Sequence, residues 1–582
     1  MSNPFENNNC RKYSLPLSRL ERDLFYDSLT GLLTQYAFNQ ELEDQIADIF
    51  SESKRPVFIF ADIVGMKHIN NEYGFFVGNE VIESVGKALK RAFSRGLCSR
   101  YDNDHFLVLT EDRDAIDRLD YVYTLLQDYL LQVPAVDLKF GVYYQNHKDE
   151  EPALNCDKAR IAERAIHGDH RCRISVYTED MYVKYMRRNH ILSHIQDAID
   201  NGEIRVSYQP IIRSVSVKVS AVEALARWDS PQEGIISPEE FIQYLEEEHM
   251  SSLLDMYIVE TVLREFEDRE KVGLPIVPVS VNLSQSTLET IDVVKEVNGL
   301  TEKYDILPDY LIIEITESAC VRNPEKLREV IDGFHQAGFR VWMDDFGSGY
   351  SSLNVLQKFD FDLIKFDMRF LEDFTFESKG EKIFRHMVKM AHDLHIHTLA
   401  EGVNTKEEYN FLKSIGCERM QGYLFGRPIP LGGYSDELTK NIQVATETLA
   451  DVRYYETIGQ VDIEKEDLPK ELRGKIHRIP ESLVEYREGK LIFIRANKAY
   501  LAYLKNMGMI GERTNEGIIR HEWCAPASDW IAEAMERSFR NDTWEFFEDC
   551  QTQFGKRVAG WVRFIAEEKE RSARCYHIIM ES

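Results

Sequence analysis

Between residues 204 and 430 short apolar segments alternate with helical ones in a regular rhythm: RVSYQPII, AVEALARW, PVSVNLS, LIIEITES, RVWMDDF, LIKFD, HTLAEGV and RMQGYLFG. Strands that recur in this way, each followed by a helical stretch, predict a (β/α) TIM-like barrel of about 250 residues. Polar residues fall in phase with that rhythm. Glu223, Asn282, Glu314, Asp344, Asp367 and Glu401 each stand at the end of a different apolar strand. In a parallel barrel those ends share one face, where active sites are built. Oxygen ligands without histidine or cysteine suit a hard divalent cation such as Mg²⁺ or Mn²⁺. Without a cation the cluster would be strongly repulsive. Lys365 lies two residues before Asp367, projects to the same side of its strand and can reach the same site.

The remaining chain sets the context. Its 582 residues predict about four domains, or three if one is a barrel, and 43% hydrophobic with 29% charged side chains excludes global disorder. A net charge of −29 argues against a nucleic-acid polymer or an anionic membrane as partner. The nine cysteines are scattered and form no C-x-x-C pair, as expected of reduced thiols. The first residues carry no apolar signal-type segment and no run reaches 18 apolar residues, so a cytoplasmic location is expected. Upstream of the barrel, a strand at 56–64, a helix at 80–93, a hairpin-like 99–110 and a strand at 136–144 predict a compact α/β domain. The amphipathic stretch 179–199 reads as a joining helix, 437–451 as a helix after the barrel, and the charged 463–475 as a boundary. The expected organisation is a tail at 1–19, domains at 20–178, 191–436 and 476–582, a connecting helix at 179–190, and a helix with linker at 437–475.

The barrel motifs resemble those of EAL-domain cyclic-di-GMP phosphodiesterases. The naming motif stands as Glu223-Ala224-Leu225, followed by Ala226-Arg227-Trp228, with Tyr208-Gln209-Pro210-Ile211 upstream. Val281-Asn282-Leu283-Ser284, Glu314-Ile315-Thr316-Glu317, Asp344-Asp345-Phe346-Gly347-Ser348-Gly349, Lys365-Phe366-Asp367, Glu401-Gly402-Val403 and Gln421-Gly422-Tyr423 follow in the family's order. The resemblance implies two metal ions, Mg²⁺ or Mn²⁺, one held by Glu223, Asn282, Glu314 and Asp344. Asp344, Asp345, Asp367 and Glu401 would hold or steer the second. It makes Glu401 and Lys365 the catalytic proton handlers and Gln209, Leu225, Arg227 and Gln421 contacts of cyclic-di-GMP, hydrolysed to linear pGpG. Glu317 would pin the mobile 344–353 loop. Asn404 stands where the family commonly has a second glutamate, which removes a charge from behind the metal ligands.

The N-terminal segment resembles GGDEF diguanylate cyclases through Asp27-Ser28-Leu29-Thr30-Gly31-Leu32 and the metal-bearing strand Phe60-Ala61-Asp62-Ile63-Val64. The naming turn reads Asp102-Asn103-Asp104-His105-Phe106: Asp62 and Asp104 keep a possible vestigial nucleotide or metal site, while both turn glycines are gone. Side chains at 102 and 103 occupy the space a nucleotide needs, and the Asp102 carboxylate repels a triphosphate. His105 replaces an acid, and Phe93-Ser94-Arg95-Gly96 stands where an R-x-x-D inhibition motif is expected. The resemblance implies the cyclase fold with a regulatory role and leaves GTP binding open.

Residues 483–504, a strand, a Glu488-Gly489 turn, a second strand and a helix opened by Asn497, resemble a PAS sensor domain within a C-terminal α+β segment. A ligand-free module that pairs chains is the rival reading. His521 and Cys524 read as ordinary side chains. The expected protein is a metal-dependent phosphodiesterase with flanking regulatory domains and, by analogy, a homodimer. The alternatives are a catalytically silent cyclic-di-GMP receptor and a nucleotide-sensing scaffold.

Overall fold

The computed structural model describes residues 19–112, 114–130, 137–167, 171–271, 273, 276–347, 352–367, 379–430, 446–461, 479–506, 524–526, 529–549, 558–569 and 572–581. The chain divides into two compact units, Met1–Ile191 and Leu192–Ser582.

In the first unit a six-stranded sheet runs in the order Leu33–Thr34, Leu97–Arg100, His105–Glu111, Pro56–Val64, Asp137–Tyr144, Ile174–Val176. Pro56–Val64 is buried along nearly its whole length because helices cover both faces of the sheet, so its PVFIFADIV sequence needs no polar face. His105–Glu111 pairs antiparallel with it and sets Asp62 opposite His105. Three sequence-predicted elements have their counterparts here: the central strand, the 97–111 hairpin and Asp137–Tyr144. The predicted 80–93 helix is the second half of Met66–Ala92, which bends where Gly74 takes φ 84°.

The second unit begins with the barrel. Eight strands close it: Ile204–Arg213, Val219–Ser230, Val279–Asn282, Leu311–Thr316, Arg340–Phe346, Leu363–Phe366, His397–Ala400 and Arg419–Gln421. Strands two to eight are parallel, but the first is antiparallel to both of its neighbours. This corrects the expectation of an all-parallel barrel. Only residues 214–218 join the first two strands, too few for a crossover, so the chain must turn back as a hairpin.

The interior of the barrel is layered. Ile211, Ala221, Ile312, Trp342, Leu363 and Leu399 form one buried cluster. Each lies two residues from a predicted site residue: Gln209, Glu223, Glu314, Asp344, Lys365 and Glu401. Side chains alternate with a period of two, so the site residues stand on the same inner face, one rung nearer the mouth. For Gln209 the step runs backwards along the sequence because its strand is reversed.

Past the barrel the structure departs from the predicted 437–451 helix. Thr446 bridges to Val219 as extended chain, and the helix is Leu449–Gly459, opened by a Thr448/Asp451 capping box. Positions 437–445 and the 463–475 boundary lie outside the described residues. The C-terminal segment is an antiparallel sheet in the order Cys524–Pro526, Lys490–Ala496, Glu481–Arg487, Ala573–Glu581, Val558–Glu568, Glu545–Asp549. One face, with Val484, Phe493, Tyr576 and Ile578, packs on helices Lys498–Asn506 and Asp529–Asn541 through Tyr500, Leu504, Ala534 and Met535. The other, with Leu483, Ile494 and Cys575, packs on Tyr454, Tyr455 and Ile458 of the post-barrel helix.

Candidate active site

The buried Lys365 ammonium organises the mouth of the barrel. Its Nζ lies 3.2 Å from Glu223 Oε1, 2.8 Å from Glu314 Oε2, 3.1 Å from Asp344 Oδ1 and 2.7 Å from Glu401 Oε1. Four strands thus deliver four carboxylates to one cation. Burial penalises the ammonium, yet the four carboxylates outweigh it and raise its pKa well above the ordinary value. The acids respond unequally. Burial pushes Glu401 up to about 8 and Glu314 well above the carboxylate range, because one lysine cannot neutralise all of them. Burial also works against Glu223, but Lys365 and hydrogen bonds from Gln421 and Asn282 hold its pKa low.

Among the described residues, carboxylates placed to hold a metal ion fall here into two groups that share Asp344: Glu223–Glu314–Asp344, and Asp344–Asp345–Glu401, with the oxygens of each group within 4.8 Å. Glu314 Oε1 is buried and has no hydrogen-bond partner among the described residues. A desolvated carboxylate oxygen left unpaired costs free energy, so the donor set fits a hard divalent cation. Asn282, paired in register with Glu314, donates from Nδ2 to Glu223 Oε1 at 3.1 Å. Asp367 is one residue beyond the Leu363–Phe366 strand and belongs to neither group.

Two predicted substrate contacts face the mouth by strand alternation: Leu225 and Arg227 follow Glu223 at steps of two. Arg227 is half-buried, donates to the Ala226 carbonyl at 2.7 Å, and burial lowers its pKa. Gln421 is joined to the carboxylate cluster. Its Nε2 donates to Glu223 Oε2 at 2.5 Å and to Gln209 Oε1 at 3.1 Å, and Gln209 Nε2 reaches the Gly426 carbonyl at 3.3 Å. The two glutamines therefore hold Glu223 in position. Gly422 beside them admits no side chain, because a Cβ would fall 2.1 Å from the Val403 carbonyl oxygen. Tyr423, largely exposed with Arg427 stacked 4.3 Å from its ring centre, was not singled out from the sequence. The available signal was its step of two from Gln421.

Glu317 Oε2 accepts a hydrogen bond from Gly347 N at 2.8 Å, and Glu317 N donates to the Asp344 carbonyl at 3.1 Å. The acid thereby ties down the start of the predicted 344–353 loop, of which positions 348–351 lie outside the described residues. Asp345 and Gly347 take φ of 56° and 95°. Asn404 donates its backbone N–H to Glu408 at 2.7 Å, just before a helix capped by Thr405. In the N-terminal unit Asp62 and Asp104 are brought together with His105. Among the described residues no helix is long and apolar enough to cross a membrane.

Comparison with known proteins agrees with this geometry. The EAL domain family model matches residues 193–428, and the diguanylate cyclase GGDEF domain model matches residues 24–164. The chain is 27% identical over 428 residues to the cyclic di-GMP phosphodiesterase NbdA of Pseudomonas aeruginosa, covering 71% of this chain and 54% of that protein. It is 25% identical to the bifunctional diguanylate cyclase/cyclic di-GMP phosphodiesterase MucR of the same organism, covering 71% of this chain and 62% of MucR. It is 28% identical to the cyclic di-GMP phosphodiesterase PdeR of Escherichia coli, covering 69% and 62%. The matches thus span between half and two thirds of these relatives' lengths. The chain carries a GGDEF domain and an EAL domain in tandem.

Proposed function

We propose that the barrel is a divalent-metal-dependent phosphodiesterase that opens cyclic-di-GMP to linear pGpG, and that the GGDEF domain regulates it without cyclase activity. The observation that carries this reading is the pair of carboxylate groups sharing Asp344 around a buried lysine. Two ions, Mg²⁺ or Mn²⁺, would be held by Glu223, Asn282, Glu314 and Asp344 and by Asp344, Asp345 and Glu401, with Asp367 steering from beyond its strand. When bound, they supply an acidified water and neutralise the charge that develops on phosphate oxygens.

The chain's own groups do the rest. Glu401 orients the attacking water and accepts its proton, with Lys365 Nζ, 2.7 Å away, stabilising the carboxylate and supplying a proton toward the leaving oxygen. Arg227 offers a planar cation to the second phosphate, and Leu225 an apolar contact beside it. Gln209 and Gln421, the proposed substrate contacts, also keep Glu223 aimed at the metal. Glu317 sets the position of Asp344 and Asp345 through the loop.

The decisive experiment incubates the full chain with cyclic-di-GMP and Mg²⁺, with and without EDTA. EDTA-sensitive pGpG formation is expected; binding without turnover would instead identify a receptor. The same protein given GTP should make no cyclic-di-GMP, because Asp102 and Asn103 fill the turn. Product formation that depends on Asp104 would overturn that part. The C-terminal antiparallel sheet with its two helices supports the PAS-like reading of residues 476–582. A homodimer is proposed by analogy, and light scattering of the full chain tests it.

A further inference from the structure

Asn282 is the last residue of a short strand, Val279–Asn282. The ladder to Val219–Ser230 pairs Val279, Ser280 and Val281 and stops one residue before it. On the other side Asn282 is in register with Glu314, and Leu283 N donates to the Glu314 carbonyl at 3.0 Å. The chain then turns directly into the helix Gln285–Thr290, with Ser284 as its N-cap. Asn282 therefore sits at a strand-to-helix junction that the sheet braces from one side only.

The brace on the far side of the junction comes from a different helix, Ser251–Lys271. Its Asp255 is 8% exposed, and Asp255 Oδ2 accepts three hydrogen bonds: from Ser284 N at 2.8 Å, from Ser284 Oγ at 2.8 Å and from Thr287 Oγ1 at 2.6 Å. Burial pushes the Asp255 carboxyl up to about 6, although all three bonds act to lower it. An acid is thus kept inside the protein against its desolvation, and its donors lie on the N-cap and first turn that follow Asn282. Bonds to a carboxylate are stronger and shorter than those to a neutral acceptor, so this one side chain fixes the junction tightly. Asn282 in turn donates from Nδ2 to Glu223 Oε1, which leaves its Oδ1 as the ligand atom.

We propose that Asp255 is a positioning residue for the metal site: by clamping Ser284 and Thr287 it holds the Asn282 amide oxygen toward the ion that Glu223, Glu314 and Asp344 would also bind. The inference rests on the proposed role of Asn282 as a ligand. Asp255 is not itself a proposed ligand or substrate contact, and it acts through the 282–284 junction. Groups that hold a ligand from behind set metal affinity nearly as strongly as the ligands do.

The test is Mn²⁺ binding to the full chain, followed by calorimetry without substrate, in Asp255→Ala, Asn282→Ala and the double variant. Asp255→Ala should weaken Mn²⁺ by roughly 10–100-fold, and Asp255→Asn, which keeps an acceptor oxygen, should recover most of that loss. In the Asn282→Ala background the change at 255 should bring no further loss, because its effect passes through Asn282. Losses that multiply would overturn the proposal and leave Asp255 a general support of the fold. Wild-type Mn²⁺ affinity in Asp255→Ala would overturn it as well. Wild-type affinity in Asn282→Ala would overturn it by another route, by removing Asn282 from the ligands and so correcting the proposed function first. Should Asp255→Ala lose its circular dichroism, Ser284→Ala takes its place in the cycle: it deletes one of the clamped donors and should weaken Mn²⁺ only while Asn282 is present. A loss that persists without Asn282 would count against the proposal in the same way.

Discussion

At the mouth of the barrel Glu223, Glu314, Asp344 and Glu401 share one ammonium group, whereas at its floor cations and acids are matched. Arg213, Arg340 and His397 lie two residues below the apolar layer of Ile211, Trp342 and Leu399, and Arg419 lies over the Trp342 ring at 5.5 Å. Glu447 meets Arg213 at 3.1 Å, and Glu456 meets Arg340 at 2.7 Å and Arg419 at 2.5 Å. Gln460 and Glu418 reach His397 at 3.0 and 2.8 Å. Glu447 and Glu456 both follow residue 428, where the match to the EAL model ends. One end keeps a surplus of negative charge that an external cation would balance; the other draws its counter-charges from a chain segment appended to the barrel. The same interior face thus serves binding at one end and stability at the other.

The largest difference should appear when each end loses a carboxylate. At the mouth, Glu401→Gln, Asp344→Asn or Glu223→Ala should cut turnover by about 10²–10⁴-fold. Without metal, Glu401→Gln should melt no lower than the parent at neutral pH, because burial already pushes Glu401 up to about 8 and disfavours its charge. Near-normal hydrolysis in any of the three would break the assignment.

At the floor, Glu456→Ala strands the buried Arg419 guanidinium and takes one of two acidic partners from the part-exposed Arg340, and should cost about 3–5 kcal/mol of stability in urea titrations, while the folded fraction keeps its turnover per molecule. A wild-type urea midpoint would show that the floor charges do not hold the structure. Acid should act in the same direction. Burial alone would raise Glu456, but Arg419, Arg340 and Arg213 bring it from 4.5 down to about 2. A depressed acid contributes stability above its unfolded pKa and loses it as pH falls, so this contribution is complete above 4.5 and gone below about 2.

The mouth should show the opposite pH sign. Glu401 is raised from 4.5 to about 8 in the absence of metal. An acid raised in the folded state binds a proton that the unfolded chain has already released, so the metal-free protein loses stability as pH rises from 4.5 to 8. Melting temperatures should therefore fall across that window in EDTA, and the slope should flatten when Mn²⁺ is added. A slope identical with and without metal would place the titrating group outside the metal cluster.

The contrast between mouth and floor also marks what the sequence could reveal. The mouth was legible because barrel strands put function at their carboxyl ends, so an acid in phase with an apolar repeat stands out without coordinates. Arg213, Arg340 and Arg419 occupy the other ends of the same strands, where charged residues are routine, and their partners Glu447 and Glu456 are remote in sequence. The direction of the first strand was hidden for a related reason: RVSYQPII is apolar whichever way it runs, and only the length of the 214–218 connection settles it. Gln421 was found as a site residue, but its hydrogen bond to Glu223 was not foreseen, since it spans 198 positions. In the N-terminal domain Asp62 and Asp104 were visible as a motif, while His167 and Glu163, which gather around Asp62, come from a helix end that carries no motif at all.

The smallest expected effect concerns Glu317, which touches neither the proposed ions nor the proposed substrate contacts. Its Oε2 accepts from Gly347 N and its own N–H donates to the Asp344 carbonyl, so one side chain and one peptide group brace the strand end that carries Asp344 and Asp345. That end is under local strain, because Asp345 adopts a left-handed φ of 56° that a residue with a Cβ takes at a cost of order 1 kcal/mol. A hydrogen bond to a charged acceptor is worth about 1.5–3 kcal/mol, enough to offset such a cost. Glu317→Ala should therefore release the segment and lower kcat by roughly 10-fold or somewhat more, each ~1.4 kcal/mol being a factor of ten. Arg227 and Leu225 stay in place, so binding of cyclic-di-GMP in EDTA should be unchanged. Glu317→Gln, which keeps an acceptor oxygen, should recover most of the loss. Full activity in Glu317→Ala would show that the strand end carrying Asp344 and Asp345 is held by the barrel itself, and would remove the loop as a route by which flanking domains could act on the mouth.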